Sequence, residues 1–487
     1  MSKKLNWLFQ ATNIQVMIWA VLAICILPSR SHFLYDEAYY YHYALNLARD
    51  HIFTSLGVSI SGTSPAVFTP GGGLWAILSP PFLISTDPQA GTVWIIILSA
   101  LGILFFNRSL NKFRASTSLR FFSSFFLTWG AWHNWMSDRI WNVHFYWCLS
   151  LISLSLVLRV VHAAARETTV SVWDFFWLGI VSSFILQIHI GGGLAIAACF
   201  FMLWKYARPQ LNFRTLSIFC FAGLLMYLPY FYQEYHSHFL NTMGLHSART
   251  FHGWNRQAVV KSFFSPWIYL SHFKDAYQMF GVFKEDSWGI PAFIGSILSI
   301  LVGVLGLRSK HIFRSLFVFS WAIAPIYFFL NQRPFHDHYL ASLMPYYLLG
   351  LALGTEYLYR QGAWKKTLAL VHCGGFILCA SIQSFGNYIL HPDHPTVGEQ
   401  VALAQEVSDR ASRGNSVRAT VVIGEIDKRI EDQIFVDWVL QKDLFGKEPV
   451  FRYSSYPKPC TMEIGRPRVV NGTAPIPIGP IAYLDCQ

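Results

Sequence analysis

The chain has 487 residues, 53% of them hydrophobic and only 13% charged, with a mean hydropathy of +0.36. Soluble domains carry about 25% charged residues, so this composition excludes an ordinary soluble globular protein. A formal charge of +11 would suggest nucleic acid in a soluble chain, but basic loops between apolar runs account for it here, and no nucleic-acid partner is expected.

The opening MSKKLNWLFQ leads straight into an apolar run with no small-residue cleavage site after it, and reads as part of an uncleaved first span. Apolar segments of membrane-crossing character are predicted at 8–28, 90–107, 120–135, 141–161, 172–187, 191–206, 215–232, 289–307, 312–330, 339–359 and 367–386. Placing Lys3 and Lys4 inside makes every second loop basic. Those loops carry Arg108, Lys112, Arg114 and Arg120, then Arg159 and Arg166, then Lys205, Arg208 and Arg214. Arg308, Lys310 and Arg314 follow, and finally Arg360, Lys365 and Lys366. The alternation gives a polytopic α-helical membrane protein with about eleven transmembrane helices and an external C-terminus.

Two external loops are long, 29–89 and 233–288. Within the first, Gly73 to Ser85 is apolar but short and broken by Pro80 and Pro81, which predicts an interfacial or re-entrant helix. The second mixes aromatics, His and Arg/Lys, as juxtamembrane helices lying on a bilayer do. Residues 1–390 thus form one transmembrane domain. Past residue 390 the chain holds half of its 26 acidic residues, and 391–487 reads as a small external α/β domain. GEQVALAQEVSDRAS and EDQIFVDWVLQKDL have helical periodicity there, while RATVVIGEI, PVFRYSSY and IAYLDC read as strands. Of eight cysteines, six fall in apolar spans as small hydrophobes. Cys460 and Cys486 lie in the polar tail, where a disulfide is open to them if that tail faces an oxidising compartment.

All but His162, His311 and His372 of the 18 histidines fall on the external side or at outer helix ends. Adjacent carboxylates, Asp36 and Glu37, open a Tyr- and His-rich stretch just after the first span, within roughly 15 Å of the membrane surface at about 1.5 Å per residue. They either cap a short helix or do chemistry, because carboxylates beside a bilayer are costly to desolvate. SDRIWNVHF offers Asp138 and Arg139 at the same surface, as an ion pair or as a planar fork suited to a phosphate. LQIHIGGG places Gln187 and His189 at a helix end before three glycines, which either turn the chain or bring backbone N–H groups to a ligand. NQRPFHDHYLASLMP contributes Arg333, His336, Asp337 and His338, either as a phosphate-facing cluster or as a solvated loop. His336 and His338 have metal-ligand spacing, but no third ligand is evident. FTPGGG, residues 68–73, permits a sharp backbone turn ahead of the interfacial helix.

Together, YDEAYYYHYALNLARD, DRIWNVHF and HDHYLASLMPYYLLGLALG, with the large first external loop and external C-terminal domain, resemble the C-type (GT-C) membrane glycosyltransferase superfamily. The similarity is to the bacterial branch of protein O-mannosyltransferases and aminoarabinose transferases, although the first loop reads TSPAVFTPGGG where the latter carry Lys-Pro-Pro. The resemblance implies a GT-C-like fold and a polyprenyl-phosphate sugar donor. It further implies a lipid, glycan or protein acceptor, inversion at the anomeric carbon, and a periplasmic active site and C-terminus on a bacterial inner membrane. Under it Asp36 is the general base, Glu37 positions the acceptor or holds a divalent metal ion, and Asp138 orients the acceptor. Arg139, Arg333, His336 and His338 take the leaving phosphate, and Tyr40, Gln187 and His189 are substrate contacts. No other cofactor is implied. A transporter or flippase for lipid-linked glycans is the alternative, as is a non-catalytic membrane assembly subunit. Transporters place charge near the membrane midplane, whereas these spans are nearly free of Asp and Glu.

Overall fold

The computed structural model describes residues 3–27, 33, 35–59, 68–130, 137, 139–247, 258–260, 262–263, 289–331 and 337–390, with residues 401 and 405 and four short strands beyond them. Among the described residues, each predicted span overlaps an α-helix. These helices are α1 (Lys3–Cys25), α4 (Pro88–Lys112), α5 (Thr117–Trp129), α6 (Asn142–Ala165), α7 (Val172–Ile188) and α8 (Gly193–Tyr206). The later ones are α9 (Phe213–His236), α11 (Gly289–Gly306), α12 (Phe313–Asn331), α13 (Met344–Tyr359) and α14 (Ala363–Leu390). Between α1 and α4 lie α2 (Tyr35–Asp50), the hairpin strands β1 (Leu56–Ser59) and β2 (Phe68–Pro70), and α3 (Gly73–Leu78); α10 (Leu240–Ser247) follows α9.

The starts of these helices are encoded locally. Asp87 caps α4, its carboxylate accepting from the Gln89 N–H at 2.8 Å, with Pro88 in the first turn where no N–H is needed. Ser116 caps α5, Ser171 caps α7, and Asn212 caps α9 by accepting from the Thr215 N–H at 3.1 Å.

By length and composition, four helices among the described residues suffice to cross a bilayer: Pro88–Lys112, Asn142–Ala165, Phe213–His236 and Phe313–Leu330. The helices α6 and α13 are buried along most of their length and form the centre of the bundle. Against them pack α4, α7 and α8 on α6, and α5, α11 and α12 on α13. The α11–α13 contact is close because Gly354 presents bare backbone to the Val302 carbonyl, where a Cβ would have no room. The outward surface stays apolar: Ile14, Val21, Leu101, Phe221, Leu224 and Leu301 are all exposed. An exposed apolar surface of this extent needs hydrocarbon around it, and the protein is an integral membrane protein.

The segment Gly73 to Ser85 is short, as predicted. It forms α3 and a 3₁₀ turn at Pro80–Leu83, with Leu83 and Ile84 exposed beside it. The long 339–359 span begins later than predicted. A 3₁₀ turn, Asp337–Leu340, precedes it, and the α-helix starts at Met344, where Pro345 has no N–H to donate.

Past residue 390, β3 (Thr420–Val421), β4 (Thr461–Ile464), β5 (Ile476–Pro477) and β6 (Ala482–Asp485) form a sheet ordered β3-β4-β6-β5, parallel only at β3–β4. The strands β3 and β6 fall within two of the predicted strand segments. The third predicted strand, most of the predicted tail helices, Cys460 and Cys486 lie outside the described residues.

Candidate active site

The helix α2 carries both candidate carboxylates in its first turn, where the positive end of the helix dipole favours them. Their environments differ sharply. Asp36 is exposed, whereas Glu37 is 2% exposed. Glu37 stands 3.8 Å from Arg139, whose side chain is 15% exposed and also lies over the Trp141 ring. Glu37 lies more than a hundred residues before Arg139 in the chain, so tertiary packing brings this pair together. A mostly buried charge pair of this kind holds its members in place, since neither can lose the other cheaply.

One turn along α2, Tyr40 is buried. Burial pushes its hydroxyl well above the ordinary tyrosine range, and the charges of Asp36 and Glu37 push it further, so it stays a neutral hydrogen-bonding phenol. Tyr146 of α6 stands near enough to add to that effect. Tyr146 in turn stacks on His189 at 5.5 Å, and His189 meets Tyr339 of the 3₁₀ turn at 5.0 Å. The His189 Nδ1 accepts from the Gly191 N–H at 3.0 Å, which leaves any ring proton on Nε2. This aromatic chain joins α2, α6, the α7–α8 connection and the turn containing Asp337 and His338. The three elements that carry the family resemblance therefore meet at one end of the bundle.

Gln187 sits under the FTPGGG turn. Its Nε2 donates to the Met226 carbonyl at 2.9 Å, and its side chain packs on Gly71, whose φ of +98° and lack of Cβ both suit glycine. Asp138, Arg333 and His336 lie outside the described residues, as do the side chains of Asp337 and His338. Among the described residues, no group of three or more His, Cys, Asp or Glu side chains converges as a metal site would require.

Sequence reasoning missed the residues that hold this end together. Tyr41 donates to the Thr86 carbonyl at 2.6 Å, and Trp75 donates to the Leu56 carbonyl at 2.8 Å. Trp75 also stacks on Tyr43 at 5.1 Å. From the second external loop, Asn241 accepts from the Phe68 N–H at 2.8 Å and donates to the Phe68 carbonyl at 2.9 Å. Gln233 accepts from the Ser55 hydroxyl and N–H. The one advance signal was the aromatic content of the two long loops, Tyr-rich in the first and mixed with His and Arg/Lys in the second.

No protein-family model and no curated protein sequence matches the chain. Solved structures do. ArnT from Cupriavidus metallidurans, bound to undecaprenyl phosphate, superposes with a TM-score of 0.53 at 13% identity, covering 100% of this chain and 98% of that one. The same protein in its apo state gives 0.51 at 14% identity, covering 91% of this chain and 85% of that one. Identity this low establishes architecture, and the agreement runs over nearly the whole length of both chains. This membrane protein shares the fold of ArnT, in keeping with the resemblance of its sequence to the C-type glycosyltransferases.

Proposed function

We propose that the protein is an inverting membrane glycosyltransferase. It moves a sugar from a polyprenyl-phosphate carrier to a hydroxyl of a lipid, glycan or protein acceptor at the outer face of a bacterial inner membrane. The observation that carries this reading is the asymmetry of the two carboxylates on α2. Asp36 is exposed in the first turn of α2, while Glu37 beside it is buried against Arg139. The likeness in fold to ArnT, solved with undecaprenyl phosphate, supports a polyprenyl carrier.

In this mechanism the Asp36 carboxylate accepts the proton of the acceptor hydroxyl as its oxygen bonds to the anomeric carbon. The bond from that carbon to the phosphate oxygen breaks from the opposite side, so configuration inverts. Arg139, held by Glu37, faces the negative charge growing on the leaving phosphate, with Arg333, His336 and His338 as further contacts. Asp138 orients the acceptor. Tyr40 and His189 line the sugar site, and Gln187 shapes the turn above it.

Purified Asp36→Asn protein, given a polyprenyl-phosphate sugar and an acceptor, should lose turnover by about 10²–10⁴-fold, as expected for loss of a general base, while its thermal unfolding stays near that of the wild type. Wild-type turnover by this variant would remove Asp36 from the mechanism. A lipid-flipping assay in which the purified protein moves carrier without transferring sugar would favour the transporter reading instead.

A further inference from the structure

At the opposite end of the bundle is a second site that glycosyl transfer does not use. The N-terminal end of α4 is tied to α2 through Thr86. Its C-terminal end, 25 residues and about 37 Å further on, carries Lys112. There a cavity of about 210 Å³ opens between the ends of α4, α6 and α7, lined by Ser109, Lys112, Arg159, His162, Ser171 and Asp174 among others. Arg159 donates to Asp174 at 2.9 Å, which neutralises the one carboxylate in the lining. Lys112, Arg114 and Arg166 all add positive potential at His162, so uncompensated positive charge surrounds a concave polar pocket.

The local surroundings identify the kind of anion. The Ser171 hydroxyl caps α7 by accepting from the Trp173 N–H at 3.3 Å, which leaves its own hydrogen for an acceptor in the cavity. Immediately beside it, Trp173 is 62% and Trp177 53% exposed, with Phe176 packed edge-on between them. Exposed tryptophans at a helix end mark the headgroup level of a bilayer. The pocket therefore opens where lipid headgroups lie, on the face that the loop charges assign to the cytosol. A basic pocket between helices at that depth suits a lipid phosphate.

We propose that the cavity between α4, α6 and α7 binds the phosphate of an anionic phospholipid, with Lys112, His162 and the Ser171 hydroxyl as its contacts. Arg159 serves as the wall that Asp174 holds in place. The bound headgroup bridges three helix ends, and so stabilises the folded bundle by mass action.

The test uses the full chain in nanodiscs of phosphatidylcholine alone, or of phosphatidylcholine mixed with phosphatidylglycerol. It compares wild type, the double variant Lys112→Gln/His162→Gln, and Arg214→Gln as a charge control on the same face. Phosphatidylglycerol should raise the wild-type Tm and remain bound in native mass spectrometry after release from the disc. The double variant should lose the Tm shift and bind phosphatidylglycerol at least about tenfold more weakly, as expected for removing one charge-assisted contact. Arg214→Gln should behave as wild type. Equal lipid retention and equal Tm shifts in all three proteins would overturn the proposal. Inorganic phosphate added to phosphatidylcholine discs should leave Tm unchanged; a full shift from phosphate alone would overturn the assignment to a lipid.

Discussion

At the scale of single residues, neighbouring carboxylates on one helix turn differ in burial. Glu37 is enclosed and paired with Arg139, so Glu37→Gln should destabilise the protein by about 3 kcal/mol, because a mostly buried charge pair is then broken. Thermal unfolding in detergent measures that loss. Arg139→Ala should weaken binding of a polyprenyl-phosphate donor more than Arg139→Lys does, since lysine keeps the charge but not the planar fork. Equal donor affinities in titrations of the two variants and wild type would take Arg139 out of the phosphate site. A different residue, His311, contributes to the response to acid. His311, in the connection between α11 and α12, lies against Phe113 and Phe313, and burial pushes its imidazole down to about 4 although Glu356 acts to raise it. The unfolded chain takes up a proton near pH 6.5 while the folded one resists until about pH 4, so stability is full above that window and falls as pH drops through it. The loss attributable to His311 is about 2–3 kcal/mol. The Tm-against-pH curve of His311→Gln should accordingly be flatter than the wild-type curve between those limits.

At the scale of elements, the external end is built by cross-linking loops that are short of regular structure. The β1–β2 hairpin has two strands, too few to be stable alone. Asn241 of α10 closes both polar groups of Phe68 in β2, and Gln233 of α9 holds Ser55. Asn241→Ala leaves the Phe68 N–H and carbonyl without that partner, at a cost of about 1–3 kcal/mol. Because the hairpin leads into the FTPGGG turn over Gln187, the same variant should raise KM for the donor while changing kcat less. An unchanged KM alongside a lowered Tm would confine the clasp to a structural role. In LQIHIGGG, Gly191 lies against the Tyr339 carbonyl in the turn between α7 and α8, where a Cβ would crowd that oxygen.

At the scale of the whole molecule, the bundle has two chemically distinct ends. One gathers Asp36, Glu37, Arg139, Tyr40 and His189, and the other gathers Lys112, Arg159, His162 and Arg166. The positive-inside rule orients them, with the carboxylate end outside. Single cysteines introduced at Asp50 and at Arg166 test this in intact cells. An impermeant maleimide should label the first and spare the second; labelling of Arg166→Cys alone would invert the topology and move the proposed site to the cytosol.

Helix existence was legible because hydrocarbon demands long apolar runs with satisfied backbones, and that demand is written locally in each segment. Each predicted span consequently overlaps a helix among the described residues, and Asp87, Ser116, Ser171 and Asn212 mark starts that a reader of the sequence can find. Loop charge, again a local property, predicts on which side of the membrane each candidate residue lies. The pairing of side chains was not legible. That Arg139 meets Glu37, that Tyr146 and Tyr339 bracket His189, and that Asn241 clasps β2 depend on how helices far apart in the chain pack together. Apolar periodicity specifies which face of a helix is buried but not against whom. By itself the sequence determined a polytopic membrane bundle with acidic and aromatic residues clustered beside its first span. Only the tertiary structure decided that Glu37 is buried with Arg139 while Asp36 stays exposed, because burial is a property of the packed ensemble of elements rather than of either residue.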